Sequence, residues 1–458
     1  MTIILTAPEQ RVRRTVSPPE SVAPVGWPGK PVFILLVALI VPWTVSFGPM
    51  AVSLYRLALI ALALPTLIFW LSGKAGRIRA ADILLVLFCI WASIATAVVH
   101  GPAEAIEPSG ILFIETFSAY LVARCYIRTR QDLVAAVKLL FVLVLLLLPL
   151  AVMEAVTRQT VTLNLFRLIL PSLEGTSTGL RWGLTRVQGP FEHPILFGVF
   201  CGGAVALTHL VLGEQVSTGQ RWIMTAIVAA TATLSLSSGP MATMTVQLGL
   251  LGWNWLLAKV HARWHILWAI VLAAYVVLEL GSNQSVPQLL TRFAFDPWTA
   301  FYRLLIWEYG WGSVMAHPLF GTGFNEWLRP SWMPPSIDMF WLVPAVRYGI
   351  PGGGLFLLAF FAAVLAVSLR PCHDQKLVAC RTAYLISMTG FHLVGWTVHF
   401  WGATYVLFTF LLGSGMWLLD APQDEATAPP EPATRSVRRP LRTPSRPGAD
   451  RYKRKELQ

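Results

Sequence analysis

Two segments of the chain, Glu154 to His193 and Asn283 to Asp338, carry arginine and no lysine. The first holds Arg158, Arg167, Arg181 and Arg186, and the second Arg292, Arg303 and Arg329. A guanidinium grips a phosphate through two parallel N–H bonds, which an ammonium cannot do. All seven lysines (Lys30, Lys74, Lys138, Lys259, Lys376, Lys453 and Lys455) lie elsewhere. Arg56, Glu115 and Glu279 are embedded in apolar runs, near one end of each run. Ionisable groups so placed pair with one another or line a wet cavity, and three on one side favour a polar cavity opening there. Arg347 is expected near the same surface, with Asp338 at its mouth.

The elements that must hold these groups follow from composition. Of 458 residues, 55% are hydrophobic and 13% charged, with mean hydropathy +0.61, which is a membrane-protein balance. A spanning helix needs about 20 apolar residues. Runs of that kind predict twelve spans, near 31–48, 51–72, 82–99, 110–125, 133–153, 194–213, 222–238, 240–258, 265–282, 340–369, 377–397 and 399–419. The runs are continuous rather than alternating, which argues against a β-barrel. The expected fold is therefore all-α and polytopic, with a 31–420 membrane domain between a tail at 1–30 and a disordered basic tail at 421–458.

Lys74, Arg77 and Arg79, then Arg124, Arg128 and Arg130, then Lys259 and Arg263, and Arg370 and Lys376 alternate in the connections with the two lysine-free segments. The positive-inside rule places these basic connections and both termini in the cytoplasm, and 154–193 and 283–338 outside. The net charge of +12 is then accounted for by topology and anionic headgroups, and no nucleic-acid partner is expected. Five cysteines in spans or on the inner side predict no structural disulfide.

Several patterns carry little chemistry. Gly321-Thr-Gly323 has Glu326 where a dinucleotide loop needs a third glycine. His261 and His265 have metal-compatible spacing but no acid nearby. The 339–369 stretch is longer than a span and is broken by Gly349, Pro351 and Gly352–Gly354, so Met339–Gly349 is expected to form a half-helix before the true span.

The stretch Arg186-Val-Gln-Gly-Pro-Phe-Glu-His-Pro-Ile-Leu-Phe-Gly198 resembles the opening of the shared core of the bacterial O-antigen ligase and O-antigen polymerase superfamily. Arg303-Leu-Leu-Ile-Trp307, followed by His317-Pro-Leu-Phe-Gly-Thr-Gly323, resembles its second signature. Asp338-Met-Phe-Trp-Leu342 through Arg347-Tyr-Gly-Ile-Pro-Gly352 resembles the closing element. The likeness covers residues 180–370. Asp338 stands where ligases usually begin the closing element with His, and no arginine follows Ser237-Ser-Gly-Pro240, which inclines the resemblance towards the polymerase or exopolysaccharide branch.

The resemblance implies a glycosyltransferase of the bacterial inner membrane, its active site facing the periplasm. The donor is a glycan on undecaprenyl diphosphate, and an acceptor hydroxyl displaces the diphosphate with inversion. No nucleotide sugar, cofactor or metal is expected. Arg186 and Arg303 are the first candidates for the diphosphate, then Arg181, Arg329, Arg347 and Arg56; Asp338 or His193 would take the hydroxyl proton. A ligase acting on lipid A core is the alternative within the family. A transporter of lipid-linked or anionic solutes, or a scaffold, is the alternative outside it. Chain-length regulators and other assembly proteins are the expected protein partners.

Overall fold

The computed structural model describes residues 26–47, 50–176, 179–281 and 297–422. Arg292 and most of the two expected tails lie outside these residues. The helices, in chain order, are α1 Lys30–Leu39, α2 Leu54–Leu71, α3 Ala80–His100, α4 Pro102–Tyr126, α5 Arg130–Thr157, α6 Val161–Arg167 and α7 Pro194–Gln215. They continue as α8 Thr218–Thr233, α9 Ser238–Leu256, α10 Arg263–Gly281, α11 Pro297–Ala316, α12 Val343–Leu369, α13 Gln375–Gly395 and α14 Gly402–Leu419. Among the described residues nine of them (α2, α3, α4, α5, α7, α10, α12, α13 and α14) are long and apolar enough to cross a bilayer. The chain is a helical, multi-pass membrane protein.

Three expected spans are not among these nine. The run at 31–48 makes a helix of only 10 residues, because the chain turns at Pro42 into an antiparallel hairpin, β1 Thr44–Phe47 with β2 Met50–Ser53. The run at 222–238 gives α8, 16 residues long. The run at 240–258 gives α9, whose threonines and Gln247 lower its hydropathy. The second lysine-free segment, read as a loop, contains the 20-residue α11.

Helix starts follow local capping chemistry. Thr129 with Asp132 and Ser217 with Gln220 form capping boxes at α5 and α8, each satisfying orphan N–H groups. His193 caps α7, with Pro194 at the first helical position. Within α4 the ladder relaxes into a π-turn at Ile114–Ser118 that carries the buried Glu115; such bulges re-aim side chains and recur at functional sites.

The bundle has two ends. At the basic end, Arg124 has no exposed side-chain surface; its Nη2 donates to the Arg77 carbonyl at 2.7 Å and its Nε lies 3.6 Å from Asp82. Asp82 also accepts from Tyr120 and from Trp70 at 3.3 Å. Asp420, closing α14, pairs with Arg79 and, at 3.4 Å, with Arg128. At the opposite end, the loop end, the 154–193 segment meets the α8–α9 turn and residues 318–342 meet α3 and the α13–α14 connection.

Helix α12 is broken where the sequence predicts. Gly349 has φ 73° and ψ −179°, which leaves nearby carbonyls outside the helical ladder. The segment 318–323 satisfies them. Thr322 N donates to the Val346 carbonyl at 2.8 Å and Gly323 N to that of Arg347 at 3.0 Å. Trp91 Nε1 donates to the Tyr348 carbonyl at 2.9 Å, while Ile350 N reaches back to Pro318 O at 2.7 Å. A Cβ on Gly349 would collide with the Leu319 carbonyl, and one on Gly321 with the Arg347 backbone. Gly349→Ala should therefore cost about 1–3 kcal/mol in backbone strain alone, with the collision added. It is expected to lower folded yield and melting temperature in detergent, whereas Gly354→Ala, whose Cβ meets open space, should melt close to wild type.

Candidate functional site

The site at the loop end begins with Glu154, buried at the end of α5. Its Oε1 accepts from the backbone N–H groups of Gln188 and Gly189 at 2.8 and 3.2 Å, pinning the Arg186-Val-Gln-Gly stretch inside the bundle. Val187 N also bonds Leu234 O at 3.1 Å. Arg186 is thereby brought to the α8–α9 turn, where its Nη2 donates to Ser237 Oγ at 2.8 Å. Arg181 lies beside it and donates from Nη1 to Leu236 O at 2.8 Å. Among the described residues neither arginine forms an ion pair with a carboxylate, and Arg186 Nε is buried without a hydrogen-bond partner. Burial, and then the Arg181 charge, pull the Arg186 pKa down to about 10. It remains a cation at neutral pH, and two adjacent half-buried cations held only by uncharged oxygens form a site for an anion.

Arg303 approaches from α11. Its Nε donates to the Thr397 carbonyl, and its charge acts on Asp338, whose carboxyl is pushed up by burial against the pull of Arg303 and a hydrogen bond with Ser336. Thr397 packs against the start of α9, since a Cβ on Gly239 would come within 3.1 Å of Thr397 Oγ1 and 2.8 Å of Val398. The Arg181–Arg186 pair, with Arg186 on Ser237, and Arg303 on the Thr397 carbonyl therefore flank a single contact between the start of α9 and the α13–α14 connection.

The remaining candidates divide. Arg329 is committed to its own loop, pairing with Glu326 at 3.0 Å and donating to Met333 O at 2.6 Å. Arg56 Nε bonds Glu115 at 2.7 Å, and Tyr55 OH donates to the same oxygen at 3.1 Å. Arg347 sits apart from Asp338, its guanidinium 5.2 Å from the Phe324 ring centre, in the wall of a cavity that it shares with Glu115 and His399. Of the buried charges that predict a polar opening, Glu115 lines this cavity and Arg56 does not. Glu279 is absent from it and lies on α10, no residue of which is buried.

His193 caps α7, its Nδ1 accepting from Ile195 N at 3.1 Å. In the neutral ring the proton is then on Nε2, so the nitrogen left to face a substrate is a donor. Sequence reasoning missed residues 396–401 as part of a site, because the expected spans 377–397 and 399–419 leave only residue 398 between them. The polar signal was present in Thr397 and His399, set among Trp396, Phe400 and Trp401. Glu192, half-buried and beside the position a Gly402 Cβ would take, was also missed; burial raises its pKa.

Comparison with known proteins gave no matching family model and no significantly similar curated protein.

Burial first, and Arg186 second, lower the His193 pKa to about 4 from an ordinary value of about 6.5. The unfolded chain thus binds this proton more readily than the folded one. The stability His193 contributes is complete above about pH 6.5 and is lost as pH falls towards about 4. His193→Asn retains a capping acceptor and removes the titration. Its melting temperature in detergent should decline less than that of wild type between about pH 7 and pH 5; parallel declines would show that His193 is not held neutral.

Proposed function

We propose that the chain is a membrane glycosyltransferase that joins polyprenyl-diphosphate-linked glycans, acting as a polysaccharide polymerase in the bacterial inner membrane with the loop end in the periplasm. The observation that carries this reading is the Arg181–Arg186 pair, half-buried and without a carboxylate, set across one loop contact from Arg303 and Asp338. The charge distribution supports the orientation, since the opposite end holds Arg79, Arg124 and Arg128. The likeness of the 186–198, 303–323 and 338–352 stretches to the O-antigen ligase and polymerase superfamily supports the reaction class.

In the proposed reaction the acceptor hydroxyl oxygen forms a bond to the anomeric carbon as the bond from that carbon to the diphosphate oxygen breaks, with inversion. The electron pair leaves on the diphosphate, and the hydroxyl proton passes to a base. Arg181, Arg186 and Arg303 stabilise the leaving group most when its charge has developed, which is when binding lowers the barrier. Asp338 is the better base. Its carboxylate has lone pairs to offer and a raised proton affinity, whereas His193 spends Nδ1 on capping.

The test is the glycan profile of a deletion strain complemented with wild type, Arg303→Ala, Arg186→Ala or Asp338→Asn. Loss of one oxyanion-type donor typically costs about 10²–10³-fold in rate. Each variant is expected to lose long polymer while single repeat units accumulate on the carrier. Long glycan stranded on the carrier would indicate a ligase, and an unchanged profile with Arg303→Ala would refute the assignment.

A further inference from the structure

The cavity beneath residues 396–401 is not used in this reaction. It measures about 270 Å³, near the lower limit of about 300 Å³ for sites that take drug-sized ligands. Its two ends differ. At the outer end are Arg347 and His399, with the exposed rings of Phe324 (50%) and Trp401 (39%) beside them. At the inner end the wall is apolar and reaches Phe88 and Phe356. Phe88 lies twelve residues before His100, the loop-end terminus of α3, which places it about 18 Å below that terminus along the helix. A bilayer's hydrocarbon core is about 30 Å thick, so this depth is that of lipid chains.

The charges in the wall do not cancel within it. Glu115 is answered by Arg56 at 2.7 Å. Arg347 forms no ion pair among the described residues; it lies over the face of Phe324 and shares a side-chain hydrogen bond with Tyr348, neither of which carries a counter-charge. His399 is held flat between Phe340 and Trp401, with ring centres 6.1 and 5.6 Å away and interplanar angles of 27° and 29°. Its Nδ1 is buried and has no hydrogen-bond partner among the described residues. One unbalanced guanidinium and one unsatisfied imidazole nitrogen at the mouth of an aromatic slot specify a ligand with one small anionic head and an apolar tail.

We infer that this cavity binds a lipid chain carrying a single phosphate ester, with the phosphate on Arg347 and His399 and the chain running inward past Phe88 and Phe356. A phosphate ester suits both groups. Its non-bridging oxygens accept from the guanidinium, and its oxygens or P–O–H satisfy either tautomer of the imidazole. A diphosphate brings more negative charge than one guanidinium balances with Glu115 in the same wall. The site is distinct from the Arg181–Arg186 pair and does not depend on the glycosyl-transfer reading.

The test is equilibrium binding to the delipidated full-length protein in detergent, with farnesyl monophosphate as probe and farnesol, laurate, farnesyl diphosphate, dihexanoylphosphatidylglycerol and inorganic phosphate as competitors. Farnesyl monophosphate is expected to bind about ten- to a hundredfold more tightly than farnesol, the range of a charge-assisted hydrogen bond, and more tightly than laurate or the diphosphate. Arg347→Gln should abolish the advantage over farnesol, Arg347→Lys should restore part of it, and Arg186→Gln should leave it within about twofold, well under the tenfold that 1.4 kcal/mol represents. Stronger competition by dihexanoylphosphatidylglycerol would assign the site to bilayer phospholipid, and weaker competition to a prenyl phosphate; either upholds it. Equal binding of farnesol or laurate, tighter binding of the diphosphate, or loss of binding in Arg186→Gln with none in Arg347→Gln would overturn the inference. Should Arg347→Gln fail to fold, the wild-type ranking of competitors still decides.

Discussion

The interaction on which the loop end depends is the backbone pairing between the 318–323 segment and the broken start of α12. Away from water, each unpaired peptide group costs several kcal/mol, so a helix can break there only if other groups answer its carbonyls. Thr322, Gly323 and Trp91 answer those of Val346, Arg347 and Tyr348. Gly321 and Gly349 are required because the two backbones approach too closely for a Cβ on either. The consequences spread in three directions. The strap follows α11 directly, and so fixes the helix that delivers Arg303. Trp91 draws α3, with Phe88, against α12. The break also turns Arg347 into the cavity wall and away from Asp338.

A second pattern separates arginines that hold the fold from those available to a ligand. Arg124 is fully buried but is surrounded by Asp82, Asp420 and two backbone carbonyls. Burying both charges of such a pair gains little over apolar packing, but removing one partner strands the other. This network therefore locks the connection between α2 and α3 to the ends of α4 and α14 more than it adds net stability. Arg56 and Arg329 are committed likewise. Arg181, Arg186 and Arg347 are half-buried and bonded to neutral groups or an aromatic face. Desolvation without a counter-charge is costly, and an anionic ligand would offset that cost.

Much of this was legible in the sequence. Long apolar runs located the spanning helices, because hydropathy over about 20 residues is a local property. The break at Gly349 was legible from the Gly and Pro cluster, and the Arg56–Glu115 ion pair from two charges within apolar runs. The failures arise where local pattern and tertiary role part. Residues 31–48 are uniformly apolar, and nothing short of Pro42 and the pairing of Thr44 with Ser53 shows that only ten are helical. Helix α11 mixes tryptophan with charge and lies within the segment taken as an outer connection, so it read as loop. Residues 396–401 are apolar enough to merge with either neighbour, although non-helical backbone there supplies Thr397 to one site and His399 to the other. The commitment of Arg329 to Glu326 was invisible beside the equally arginine-rich context of Arg303.

On the proposed reaction, the effect of the Arg303 charge on Asp338 also bears on timing. Burial raises the proton affinity of Asp338, and the cationic Arg303 opposes that rise. A diphosphate bound to Arg303 would neutralise the charge that depresses this affinity. The same binding event that places the leaving group would then make Asp338 a stronger acceptor for the hydroxyl proton. His193 has no such coupling. The adjacent Arg186 acts on it in the same direction as burial, and its lone pair remains with the helix it caps.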